Sequence, residues 1–125
     1  MLSADARVLL VRHSYTPGWH LPGGGVERGE DLGAALVREL KEEGNVDVLQ
    51  PPVLHGLFFH PHYSDRDHVA VFVVREFRQE SAPKPNHEIV ETGFFPLHSL
   101  PAGTTAATRA RIREVSDAAT AAEFW

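Results

Sequence analysis

The chain contains no cysteine. Without thiols it forms neither a disulfide framework nor a thiolate zinc site. No run approaches the ~18 consecutive apolar residues of a membrane-spanning helix, so no membrane partner is expected. The opening residues, Met1-Leu2-Ser3-Ala4-Asp5, lack the apolar stretch of about 7–15 residues that marks a secretory signal. A soluble, cytoplasmic protein is the expectation. Basic residues are few, with 12 Lys and Arg against 17 Asp and Glu. That balance argues against a basic face gripping nucleic acid through its phosphates.

What remains is ordinary globular material. A length of 125 residues suits one domain over 1–125, with enough chain to bury a core. The 42% hydrophobic and 23% charged residues argue against a disordered or fibrous chain. The excess acid is concentrated. Residues 27–47 hold seven acids and three bases, so four of the five excess negative charges lie in one short stretch. A solvated helix face would explain such a cluster; a site for divalent cations would explain it too.

The apolar run Arg7–Arg12 predicts a central strand. Pro17-Gly18 and Pro22-Gly23-Gly24-Gly25 predict loop. From Asp31 to Glu43 the spacing of Leu32, Ala35, Leu36 and Leu40 predicts a helix opened by Asp31. Strands are predicted over Val46–Leu49, Val53–His60, His68–Phe77 and Glu88–Leu97, and a second helix over Thr104–Ala122, with Ile112, Val115, Ala119 and Ala122 as its apolar stripe. Mixed strands with two helices point to an α+β fold or an α/β/α sandwich.

The first helix breaks local rules at its end. Glu39 follows Leu32 by seven residues and Glu43 follows Leu36 by seven, so each falls within about 20° of a core-facing leucine. Glu42 sits at the edge of that stripe. Buried carboxylates are costly, and the helix C-terminus disfavours negative charge. Pairing with Arg38, Lys41 or other arginines would relieve them; so would a divalent metal. The turn Leu21-Pro22-Gly23-Gly24-Gly25-Val26 allows backbone to approach a ligand closely, but no Gly-Lys-Ser/Thr follows to make it a P-loop.

These residues carry a known spacing: Gly24, five residues, Glu30, seven residues, then Arg38-Glu39-Leu40-Lys41-Glu42-Glu43-Gly44-Asn45-Val46. This resembles the signature of the Nudix hydrolases at every position but one. Asn45 stands where the family has glycine, a left-handed helix cap that Asn tolerates second best. Val8–Arg12, Trp19–Val26 and Gly93–Leu97 with Leu100-Pro101 also look like the family. Only six residues precede Arg7, where the family usually carries another strand, leaving either a sheet one strand short or a shortened start.

The resemblance implies a Nudix fold, a mixed β-sheet between helices, and hydrolysis of a nucleoside diphosphate linked to another moiety. It implies Mg²⁺ or Mn²⁺ on Glu39, Glu43 and Glu42, with the Gly24 carbonyl as a further ligand. Arg38 and Glu30 would orient those ligands and brace the loop. The catalytic acids are expected among Glu42, Glu43 and a later glutamate, Glu88, with Glu91 as a second choice. Trp19 and Tyr63, like Tyr15, are candidates to stack on substrate, and Arg12 or Arg66 to meet phosphate. Pro61 and Tyr63 offer two subfamily hints at once and select no substrate. His55, His60, His62 and His68 gather around one loop without a metal-ligand spacing, and read first as surface residues. The partner is a small nucleotide derivative; the protein is a monomer or homodimer. The alternative is a silent nucleotide-binding or regulatory domain of the same fold, which the presence of Glu39, Glu42 and Glu43 disfavours.

Overall fold

The structure, a computed structural model, describes residues 7–61, 67–118 and 120–125. In chain order the elements are β1 (Arg7–His13), β2 (Trp19–His20), α1 (Leu32–Gly44), β3 (Asp47–Val48), β4 (Val53–Phe59), β5 (His68–Val73), β6 (Phe77–Arg78), β7 (Ile89–Pro96) and α2 (Ala106–Ser116). Strand β1 lies between β2 and β7; β3 pairs with β6, and β4 with β5. All these pairings are antiparallel. Parallel pairing among the described residues is confined to the isolated bridges Trp19–Thr104 and Phe59–Phe124.

The apolar run of β1 is continuous because both its faces are covered. Val8 and Leu10 pack with Trp19 and with Ile112 of α2. Leu9 points the other way, onto Leu40 of α1, Val46 and Val74. Alternate residues of a strand face opposite sides, so one strand serves two cores, and the helices flank the sheet. This mixed α+β architecture is the one expected. Gly44 makes the α1 packing possible: a Cβ there would come within 2.8 Å of the Leu9 side chain.

Helix α1 starts and stops where its sequence says. Asp31 accepts a hydrogen bond from the Ala34 N–H, relieving one of the unpaired amides of the first turn. Asn45 ends the helix at φ 52°, ψ 40°, and its Nδ2 donates to the Ser81 carbonyl at 3.0 Å. Left-handed backbone costs an ordinary residue roughly 1–2 kcal/mol. Asn45→Ala is therefore expected to destabilise the protein by at least about that amount, whereas Asn45→Gly, which loses the Ser81 bonds but not the backbone tolerance, should cost less, about 0.5–1 kcal/mol. Urea unfolding of the two variants checks this ordering.

Several predicted elements lose end residues, β3 keeping only Asp47–Val48, and two differ more deeply. The run His68–Phe77 is two strands: β5 ends at Val73, Val74 is buried beside Leu9 and Leu40, and β6 joins β3 instead. The second helix ends at Ser116 rather than Ala122. Ala118 turns to φ 52°, and the Ala122 N–H donates to Glu114 Oε2 at 3.2 Å. The chain thus folds back across α2. Ala119 lies outside the described residues, as do His62, Tyr63, Arg66 and the six residues before β1.

Candidate active site

The glycine turn between β2 and α1 folds down on the acidic end of α1. Gly23 donates its N–H to Glu43 Oε1 at 2.7 Å. On the other side, His13 Nε2 donates to Glu43 Oε2 at 3.1 Å. His13 reaches that place because the β1–β7 register shifts between Arg12 and His13; such irregularities re-aim side chains. Gly24 lies against Glu39: a Cβ on Gly24 would sit 2.5 Å from Glu39 Oε1. Of the two carboxylates on the leucine stripe, Glu43 is buried under the loop and Glu39 mostly so, as the helical spacing predicts.

Arg38 ties this arrangement together. Nε and Nη2 hold Glu30 from two sides, at 2.8 and 3.0 Å. Nη1 donates to Glu39 at 2.9 Å and to Glu42 at 3.3 Å. Nη2 also donates to the Gly25 carbonyl at 3.0 Å, and Glu27 lies 3.6 Å from Nη1. The arginine pairing weighed above therefore exists, but one guanidinium serves four carboxylates and none of it reaches Glu43. Lys41 turns away to Asp47.

The electrostatics follow from this geometry. The Arg38 hydrogen bond holds Glu30 below its ordinary pKa, and Glu30 in return holds Arg38 above its own. Burial pushes Glu43 up; hydrogen bonds from His13 and Gly23 oppose this, and the nearby charge of Glu39 adds to it. A carboxylate that resists ionisation beside a second carboxylate is a place where positive charge would be welcome.

The other expected residues are placed differently. Glu42 is 58% exposed and leans only on Arg38. Arg12 and Glu91 face each other across β1 and β7 and form a half-exposed pair at 2.8 Å. Glu88 is exposed beside His87, and its N–H is held by Asn86. Trp19 is a core residue, edge-on to Phe95 at 5.0 Å. Tyr15 is exposed against His13. Two of the histidines read as surface residues are not: His55 pairs with Glu114 and His60 with Asp67, both rings mostly buried.

A cavity of about 650 Å³ opens above the loop. Gly23, Gly24, Gly25 and Glu39 form one wall; His60, Asp67, His68 and Trp125 belong to the same lining. Sequence reasoning missed Trp125. No local signal marks it, because it is brought to the cavity by contacts with Phe59 and Arg111.

This loop-and-helix arrangement is shared. The family description NUDIX domain matches residues 1–116. An ADP-ribose pyrophosphatase of Methanocaldococcus jannaschii is 33% identical over 106 residues, covering 81% of this chain and 61% of that protein. Diphosphoinositol polyphosphate phosphohydrolase 2 of Homo sapiens is 39% identical over 77 residues, 61% of this chain and 42% of that one. The chain thus spans less than two thirds of the length of either relative. The crystal structure of a MutT NUDIX hydrolase from Burkholderia pseudomallei superposes with a TM-score of 0.75 at 28% identity, covering 91% of this chain and 92% of the other. With a match over nearly its whole length, and with the signature residues Glu39 and Glu43 folded beneath the glycine turn, the chain belongs to the Nudix family.

Proposed function

We propose that this protein is a metal-dependent hydrolase of the diphosphate bond in a nucleoside diphosphate derivative. The observation that carries the reading is the packing of a mostly buried Glu39 and a buried Glu43 under the Gly23–Gly24 turn, with no arginine or lysine on Glu43 among the described residues. The relatives' names, an ADP-ribose pyrophosphatase and a diphosphoinositol polyphosphate phosphohydrolase, speak of the same diphosphate chemistry on different substrates.

The donor set fits Mg²⁺ or Mn²⁺: hard oxygens from Glu39 and Glu43, with the backbone of Gly24 packed against Glu39 as the source of a further oxygen. Among the described residues no three acidic or histidine side chains gather to hold an ion unaided. Two carboxylates completed by water and substrate phosphate are what Mg²⁺ usually takes. When bound, the ion would neutralise phosphate charge and lower the pKa of a water.

The chain's own groups do the rest. Arg38 fixes Glu39 and the loop at Gly25. The Gly23 N–H and His13 orient Glu43 from its two sides. Glu42, exposed and held only at 3.3 Å, is the signature acid left to take the proton of the attacking water. Glu88 stands on the loop before β7, exposed beside His87, and forms no hydrogen bond or ion pair with Arg38 or the signature acids among the described residues.

The test is phosphate or pyrophosphate release from a nucleotide panel, with Mg²⁺, Mn²⁺ or chelator. Turnover should require metal. Glu42→Gln should lower it by about 10²–10⁴-fold, the range for loss of a general base, and Glu88→Gln should leave it within a few-fold. A panel that stays silent while Mg²⁺ still raises the melting temperature would favour the silent binding domain.

A further inference from the structure

Away from the glycine turn and α1, the segment 120–125 is held to the fold by several hydrogen bonds. The Phe59 N–H donates to the Glu123 carbonyl at 2.8 Å, and the Trp125 N–H donates to the Phe59 carbonyl at 2.9 Å. These bonds lay the segment beside β4. Arg111 of α2 is only 4% exposed and clamps it from behind. Its Nη1 donates to the carbonyls of Phe124 and Trp125 at 3.1 and 3.2 Å, and its Nη2 to Glu114 at 3.1 Å. Its guanidinium carbon lies 4.1 Å from the Phe58 ring centre and 5.4 Å from that of Trp125.

Arg111 Nε has no hydrogen-bond partner among the described residues. A buried donor left unmet is costly, so this guanidinium is positioned by the carbonyls and rings around it, not by its own full satisfaction. The result is an indole held in place. Trp125 meets Phe58 edge-on at 5.9 Å and His60 at 6.4 Å, and His60 Nδ1 is itself tied to Asp67 at 3.2 Å. Trp125 lines the same cavity as Glu39 and the glycine turn.

We infer that Trp125 determines specificity in this cleft by stacking on the base of a nucleotide whose phosphates lie toward Glu39, with Arg111 as its positioning residue. The inference rests on the hydrolase reading of the cleft and narrows its substrate. A rigid aromatic wall gains contact with a planar heteroaromatic ring at little entropic cost. A bare sugar or an inositol ring has no planar π face and gains less from such a wall.

Calorimetric titration with AMP, GMP and ribose 5-phosphate tests it. Trp125→Ala should weaken AMP or GMP binding by about fivefold or more, the span expected for one lost stacking contact, and leave ribose 5-phosphate unchanged. Trp125→Phe should restore most of the affinity while removing the base-dependent quenching of indole fluorescence. Arg111→Met should reproduce the Trp125→Ala pattern. Equal base binding by Trp125→Ala, an equal loss for ribose 5-phosphate, or no base binding by the unaltered protein would overturn the inference. Base-dependent binding without turnover of any substrate would sink the hydrolase reading alone. Turnover with base-independent binding would sink only this inference.

Discussion

Arg38→Lys is expected to lose about 10–100-fold in activity and in apparent Mg²⁺ affinity, although the charge is kept. That is the range for residues that orient metal ligands without touching the ion. The reason is geometric. Arg38 uses a planar fork to hold Glu30 with two nitrogens while the third reaches Glu39 and Glu42. One of those nitrogens also ties down the Gly25 carbonyl. A lysine ammonium is a single point with three donors and cannot span Glu30, Glu39 and the loop together. The carboxylate of Glu39 would then be free to swing, and the glycine turn would lose an anchor. Glu30→Gln should produce a smaller loss, because the amide keeps one acceptor for Arg38. Activity against Mg²⁺ concentration separates the cases. A curve for Arg38→Lys that overlays the unaltered protein would show that the fork does not position the site.

The parts of the site legible in sequence are those set by helical spacing. Glu39 and Glu43 stand out because they repeat the positions of Leu32 and Leu36; Glu43 proves buried and Glu39 mostly so. Leu32 itself is half exposed, so the stripe predicted the acids better than its own first leucine. The β1 run and the Asn45 cap are legible for the same reason: the local rule and the tertiary answer agree. What could not be read is whatever depends on long-range registry. His13 meets Glu43 through a register shift between distant strands. His60 and His55 look like surface residues until Asp67 and Glu114 arrive beside them. The second helix ends early because segment 120–125 finds better partners on β4 and Arg111 than it would in another helical turn. The Ala-rich composition near Ala118 gives no warning of that competition.

Glu43→Gln should abolish most turnover, by at least about 100-fold, beyond the effect of losing a residue that only orients ligands. Without metal it should also make the protein more stable at pH 7–8. Burial holds the folded Glu43 pKa above its ordinary 4.5. The folded state therefore binds this proton more tightly than the unfolded chain does. The stability it contributes is complete below about 4.5, and is lost as pH rises through the raised value. At neutral pH the ionised group is a burden on the fold, and glutamine removes it while still accepting from Gly23. The stability gap between variant and unaltered protein should thus close as pH falls toward 4.5. Glu30 and Glu114 have lowered values, and their contributions run the opposite way. Both residues are present in both proteins, so they cancel in the difference. Added Mg²⁺ should reverse the order at neutral pH by stabilising only the protein that retains Glu43, through binding to the folded state. Melting curves at several pH values, with Mg²⁺ and with chelator, read all of this at once. A Glu43→Gln variant that is less stable without metal, or that keeps the full Mg²⁺ shift, would show that Glu43 is a structural acid already satisfied by His13 and Gly23.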